Sequence, residues 1–142
     1  MREILFRGKR VENGEWVYGS YTFEPRRKGA FGQTISELDR KRHYIVSKKN
    51  YEFWEVIPET VGQYTELTDK NGKKIFEGDV IETSGLGYKQ RRYPVVFCDG
   101  YFGFESKNDI IALEDSEYAI RQENREVIGN MHDNRALLEV EE

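Results

Sequence analysis

The chain has 142 residues, 22 Lys/Arg against 26 Asp/Glu and a net charge of −4, a length that suits one domain or two very small lobes. Its 19 aromatic residues argue against disorder, because disordered chains are depleted in them. A single cysteine, Cys98, excludes an internal disulfide, and no apolar run approaches the roughly 20 residues of a membrane span.

The average charge conceals a split. Residues 1–50 carry a net +6 and residues 51–142 a net −10, a pattern that hints at nucleic-acid contact or at self-association of opposite patches, while a mixed, solvated surface on halves that fold together is the favoured reading. The Met1-Arg2-Glu3-Ile4 start lacks the apolar core of a secretion signal, so a cytoplasmic protein is expected.

In chain order, residues 2–10 alternate as a strand with a mixed face. Asn13-Gly14 follows, then the β-forming run Trp16 to Phe23; Asn-Gly between two such runs predicts a hairpin with a type I′ turn. Residues 24–42 break the pattern with Pro25 and Gly29 and hold the most basic stretch, which reads as a long loop. Strands are expected at 43–47 and 51–57, ended by Pro58.

Residues 60–83 give the clearest block. Apolar Val61, Tyr64 and Leu67 lead into the polar turn 68–74, centred on a second Asn-Gly at Asn71-Gly72, and Ile75-Phe76 return. Gly78 marks a turn or bulge before the strand 80–83, and Ser84 to Tyr88 reads as a flexible loop. A strand over 93–98 carries Pro94 near its start, a placement tolerated at a sheet edge or at a strand's first residue. Asp99-Gly100 is a further type I′-compatible turn, Tyr101 to Glu105 its return strand, and Ile110 to Leu113 either strand or one helical turn. Residues 115–126 fit neither period; 127–131 close the sheet, and Asn134 caps a terminal helical turn. The expected fold class is mainly β (a β-rich α+β arrangement of antiparallel hairpins). It divides into an N-terminal β region at 1–59, with a basic loop at 24–42, and a barrel-like core with a C-terminal tail at 60–142.

Signatures of catalysis and of metal or phosphate binding are largely missing from the sequence. His43 and His132 stand far apart without metal-ligand spacing, and Cys98, next to Val95-Val96-Phe97, reads as a small buried apolar residue. The Gly-rich Ser84 to Tyr88 has no closing Gly-Lys-Ser/Thr of a phosphate loop. Glu77 and Asp79 flank Gly78, and a carboxylate pair can do acid–base work or hold Mg²⁺, yet at a glycine turn such residues usually cap backbone N–H groups. No catalytic, cofactor or metal residue is assigned, and the protein is expected not to be an enzyme.

Binding has more substance. Basic Arg26, Arg27, Lys28, Arg40, Lys41, Arg42, Arg91 and Arg92 lie near aromatics such as Tyr44, Tyr51, Tyr88 and Tyr93, and small β-barrels hold single strands with that combination. An isoelectric point of 5.4 is far below the basic footprint of a dedicated nucleic-acid binder. Hence a protein-interaction module that forms homo-oligomers is the first expectation, and single-stranded nucleic-acid binding the alternative, with no membrane partner.

Three stretches carry a resemblance: Arg2 to Lys9, then Gln63 to Val80, then Glu126 to Asn134 with Leu137-Leu138 behind it. In that order and separation they resemble the YopX family of phage and prophage proteins. The resemblance implies a cytoplasmic, phage-encoded accessory protein and brings no catalytic residues. Two positions depart from it: Glu66 stands where members often have Gly, and Arg135 where they often have Pro.

Overall fold

A computed structural model of the chain describes residues 2–24, 42–83, 91–98, 101–106, 109–112 and 121–138. The architecture is mainly β: antiparallel strands in two sheets, with short 3-10 turns. The chain divides into two units, residues 4–62 and residues 1–3 with 63–142.

In the first unit, β1 (Phe6–Lys9), β2 (Trp16–Phe23), β3 (His43–Val46) and β4 (Phe53–Val56) pair antiparallel in the order β4-β3-β2-β1. The first and last of these four strands also meet. Arg10 bridges Val56, the Val11 N–H donates to the Glu55 carbonyl (2.9 Å) and the Ile57 N–H to the Lys9 carbonyl (2.8 Å). Four strands thus curl until the last returns to the first. So tight a curl requires small residues inside: a Cβ on Gly19 would stand 2.0 Å from the Val46 carbonyl oxygen, and one on Gly8 3.0 Å from Val56. Ile45 and Val56 fill the inner side at 0% and 1% exposure. Pro58 ends β4 by starting a 3-10 turn, Pro58–Thr60, whose Thr60 Oγ1 accepts the Lys9 N–H (2.9 Å).

The second unit holds the hairpin of β5 (Gly62–Thr68) with β6 (Lys74–Phe76) and the sheet β10-β9-β8-β7-β11. These strands are β7 (Asp79–Thr83), β8 (Arg91–Cys98), β9 (Tyr101–Ser106), β10 (Asp109–Ala112) and β11 (Arg125–Asn130). Ile75, Ile81, Val95 and Val127 form its core, with Leu67, Tyr93 and Phe102 packed against them. Full burial of such aliphatic side chains contributes about 1.5–3 kcal/mol each. Two further 3-10 turns, Gln122–Asn124 and Arg135–Leu138, flank β11.

Three expectations change on contact with the structure. Both Asn-Gly hairpins form, but neither turn is type I′: Gly14 and Gly72 take positive φ (74° and 78°) while Asn13 and Asn71 do not. At the second, the Gly72 N–H donates to the Asp69 carbonyl (3.0 Å) and the Asp69 N–H to the Lys73 carbonyl (2.9 Å), a three-residue loop with its left-handed residue last. Pro94 lies inside a sheet, yet its edge character is local. Residues 91–94 of β8 pair with β7, and the ladder to β9 begins at Val95, so the missing N–H falls where β8 changes partner. Tyr93, grouped above with the aromatics near the basic residues of a contact surface, packs on the core instead. The turn at 99–100, the loop at 84–88 and most of the basic loop lie outside the described residues.

Candidate interaction surfaces

The carboxylates of the central motif are the first features to place. Asp69 is 1% exposed; its Oδ1 accepts the Asn71 and Lys73 N–H groups (both 2.9 Å) and its Oδ2 the Val127 N–H (3.0 Å). Burial alone would push this carboxyl up, but the N–H groups of Val127, Lys73 and Asn71, aided by the Lys73 charge, hold it below its ordinary 3.8. Asp79, also buried, accepts the Phe76 N–H at 2.7 Å. Glu77 accepts the Gln63 N–H at 3.4 Å, and burial raises its carboxyl above 4.5. Each of the three therefore caps backbone amides, as carboxylates in turns commonly do.

The same region is stitched to β11. The Lys70 N–H donates to the Arg125 carbonyl (3.0 Å), Arg125 Nε to the Thr68 carbonyl (2.9 Å), and the Gln122 amide to Thr68 Oγ1 and the Asp69 carbonyl. Among the described residues no three His, Cys, Asp or Glu side chains converge as metal ligands, and no helix is long and apolar enough to cross a membrane.

The basic residues expected at a contact surface divide between the units. Arg26, Arg27, Lys28, Arg40 and Lys41 lie outside the described residues. Arg42 is exposed just before β3. Tyr44 is half-buried, donates its hydroxyl to Glu24 Oε1 (3.1 Å) and sets its ring edge against Phe53 at 6.0 Å. Arg91 and Arg92 belong to the second unit, where both are exposed on β8 and Arg92 pairs with Glu82 at 3.1 Å. Tyr88 is not described, and the Cys98 side chain is not described either. His43 stacks on Tyr21, whose Oη lies 2.5 Å from His43 Nδ1; burial raises the Tyr21 hydroxyl.

Two surfaces stand out that the basic residues alone do not mark. In the second unit Tyr93, Val95 and Phe97 share a strand face. Val95 is buried, whereas Phe97 is 53% exposed and meets Phe102 edge-on at 4.9 Å. The core thus continues outward as an apolar ledge. In the first unit the outer face of β2–β4 carries Tyr18 and Phe53, both exposed. Alternation along Trp16 to Phe23 holds the signal for Tyr18, but the depth of burial on each face is not in the pattern.

The charge split also survives division by structure. Residues 4–62 hold 11 Lys/Arg against 8 Asp/Glu, and the rest of the chain 11 against 18. With this geometry in place, the chain can be compared with known proteins. The family model for YopX protein matches residues 5–139. The crystal structure of protein EF1440 from Enterococcus faecalis is similar with a TM-score of 0.51 at 20% identity, over 96% of this chain and 98% of that one, a likeness of fold. No curated protein matches.

Proposed function

The chain belongs to the YopX protein family, and from that premise we propose that it works as a non-enzymatic protein-interaction module whose partners include its own copies. The observation that carries this reading is the exposed Phe97, set edge-on against the half-buried Phe102 and extending the core of the second unit. Aromatic anchors surrounded by polar residues are what protein interfaces bury. The net −7 of that unit and the net +3 of residues 4–62 add opposite-sign attraction between copies. The capped carboxylates support the non-enzymatic part, since each already accepts a backbone N–H. In this reading the protein is a phage- or prophage-encoded accessory of the bacterial cytoplasm.

The test is static light scattering at low salt over a range of protein concentrations. The expected result is a mass that rises with concentration and falls back toward one chain in Phe97→Ser. A single-chain mass for the unaltered protein at every concentration refutes self-association.

A further inference from the structure

The outer face of residues 4–62 has a composition unlike the Phe97 ledge. Register places Ser20, Val46 and Phe53 in one row across β2, β3 and β4, and Thr22, Tyr44 and Glu55 in the next. Tyr18 shares the parity of Ser20 and faces Arg7 across the pair, with Trp16 opposite Lys9. The opposite side of these strands is the inner one, holding Ile45 and Val56. Tyr18 is 47% and Phe53 64% exposed, and Tyr51, in the turn between β3 and β4, is 74% exposed.

Cations interleave with these rings. The Arg7 guanidinium, itself buried at 6% exposure, lies 4.6 Å from the half-buried Trp16 ring, and the Lys9 ammonium 5.9 Å from it. Lys48 and Lys49 are exposed in the turn beyond β3. Lys48 donates one hydrogen bond to the Ile4 carbonyl (2.5 Å) and, as an ammonium, retains two further N–H donors. The carboxylates of the face, Glu55 and Glu24, gather at its other end around Tyr44.

We propose that this face binds single-stranded nucleic acid, with bases stacked on Tyr18 and Phe53 and phosphates on Lys9, Lys48 and Lys49. Composition decides against a protein partner here. Cores of protein interfaces are depleted in Lys and Ser, whereas aromatic platforms between lysines are how small β folds hold single strands without sequence preference. Strand spacing and rise put the Tyr18 and Phe53 backbones about 12 Å apart, room for bases on two separate platforms. This surface is distinct from the Phe97 ledge, and its test stands apart from self-association.

The experiment is fluorescence anisotropy of labelled oligo-deoxythymidine and oligo-uridine against the full chain. Three lysine–phosphate contacts on a single strand give a salt slope of about −2, so affinity falls roughly 20-fold between about 50 and 200 mM salt. Tyr18→Ala or Phe53→Ala weakens binding about 5- to 150-fold, and Phe53→Tyr restores it because the ring remains. Three results overturn the proposal: no binding at the lower salt, binding indifferent to both ring deletions, or equal affinity for a duplex of the same length.

Discussion

Replacing Asp69 by Asn changes one atom and tests whether the central motif is a structural lock. Asp69 presents two acceptor oxygens to three N–H groups, whereas Asn has one acceptor and a donating NH₂. If the Asn oxygen keeps Asn71 and Lys73, its NH₂ confronts the buried Val127 N–H. If it flips, the turn amides lose their acceptor, although those residues are exposed and can turn to water. A buried N–H left without an acceptor costs about 1–3 kcal/mol, and loss of the carboxylate charge adds to it. Asp69→Asn is therefore expected to cost about 2–3 kcal/mol, and Asp69→Ala up to about 4. The choice of readout matters, because both tryptophans, Trp16 and Trp54, lie in residues 4–62. Tryptophan fluorescence reports that unit; urea unfolding of the second is followed by circular dichroism and by hydrogen exchange at Val127. With a urea slope of about 2 kcal/mol per molar, the midpoint drops by roughly 1 M. The pH dependence has a definite sign. A carboxyl held below its ordinary value in the fold stabilises above that value and loses the contribution as pH falls through the folded one. The gap between wild type and Asp69→Asn is thus complete at neutral pH and closes below 3.8. A gap under about 0.5 kcal/mol at neutral pH, within the range of an ordinary surface substitution, or one that persists in acid, refutes the lock.

Glu66 occupies the left-handed region at φ 72°, so Glu66→Gly relieves about 1 kcal/mol of backbone strain against loss of its exposed pairing with Arg2, an ion pair of modest worth. Thermal unfolding is expected to show Glu66→Gly at least as stable as wild type and Glu66→Ala less stable; the reverse order refutes the strain argument. Arg135 opens the last 3-10 turn, where proline is pre-shaped for the first helical position, so Arg135→Pro should leave the melting temperature unchanged or raise it. Burial raises Glu77 above 4.5, the opposite sense to Asp69: its neutral form suits the fold, and its contribution falls as pH rises through the folded value. Glu77→Gln should therefore match wild type in acid and exceed it at neutral pH in urea unfolding, and equal stability at neutral pH counts against that assignment.

Much of this fold is readable from local chemistry, and the gaps have physical causes. Asn13-Gly14 and Asn71-Gly72 announce hairpins because glycine accepts positive φ freely, but the turn type depends on how the flanking residues pair. At Asn71-Gly72 that pairing is decided by Asp69, whose partner Val127 is 58 residues away, beyond the reach of any window. Pro94 is compatible with an edge or a strand's first residue, and it sits where β8 changes partner, which only the pairing of two other strands decides. Glu66, a departure from the family resemblance, coincides with a strained backbone position that the sequence alone cannot grade. The basic residues chosen for charge belong to two units, while Tyr18 and Phe53 emerge once register assigns each strand an inner and an outer face. Phe97 eluded the pattern because it shares the parity of buried Val95; its exposure reflects where the sheet ends.

The central and last of the stretches that carry the family resemblance meet inside the second unit. Asp69 of the central stretch accepts from Val127 of the last, and the Met131 N–H donates to the Gly78 carbonyl at 2.8 Å. Over Gly129 the chain returns so closely that an added Cβ would stand 2.6 Å from Asn134 Oδ1 and 2.8 Å from Leu137. Asn130 Oδ1 meanwhile accepts the His132 and Asp133 N–H groups, both at 2.9 Å. These residues are spent on closing a hairpin onto a strand and a strand onto its own tail. Substituting them removes the scaffold before it can remove a site. The exposed aromatic side chains, Phe97 in one unit and Tyr18 and Phe53 in the other, lie outside all three stretches. Loss of function without loss of stability is therefore expected from these surface aromatics, and loss of both together from the residues that mark the family.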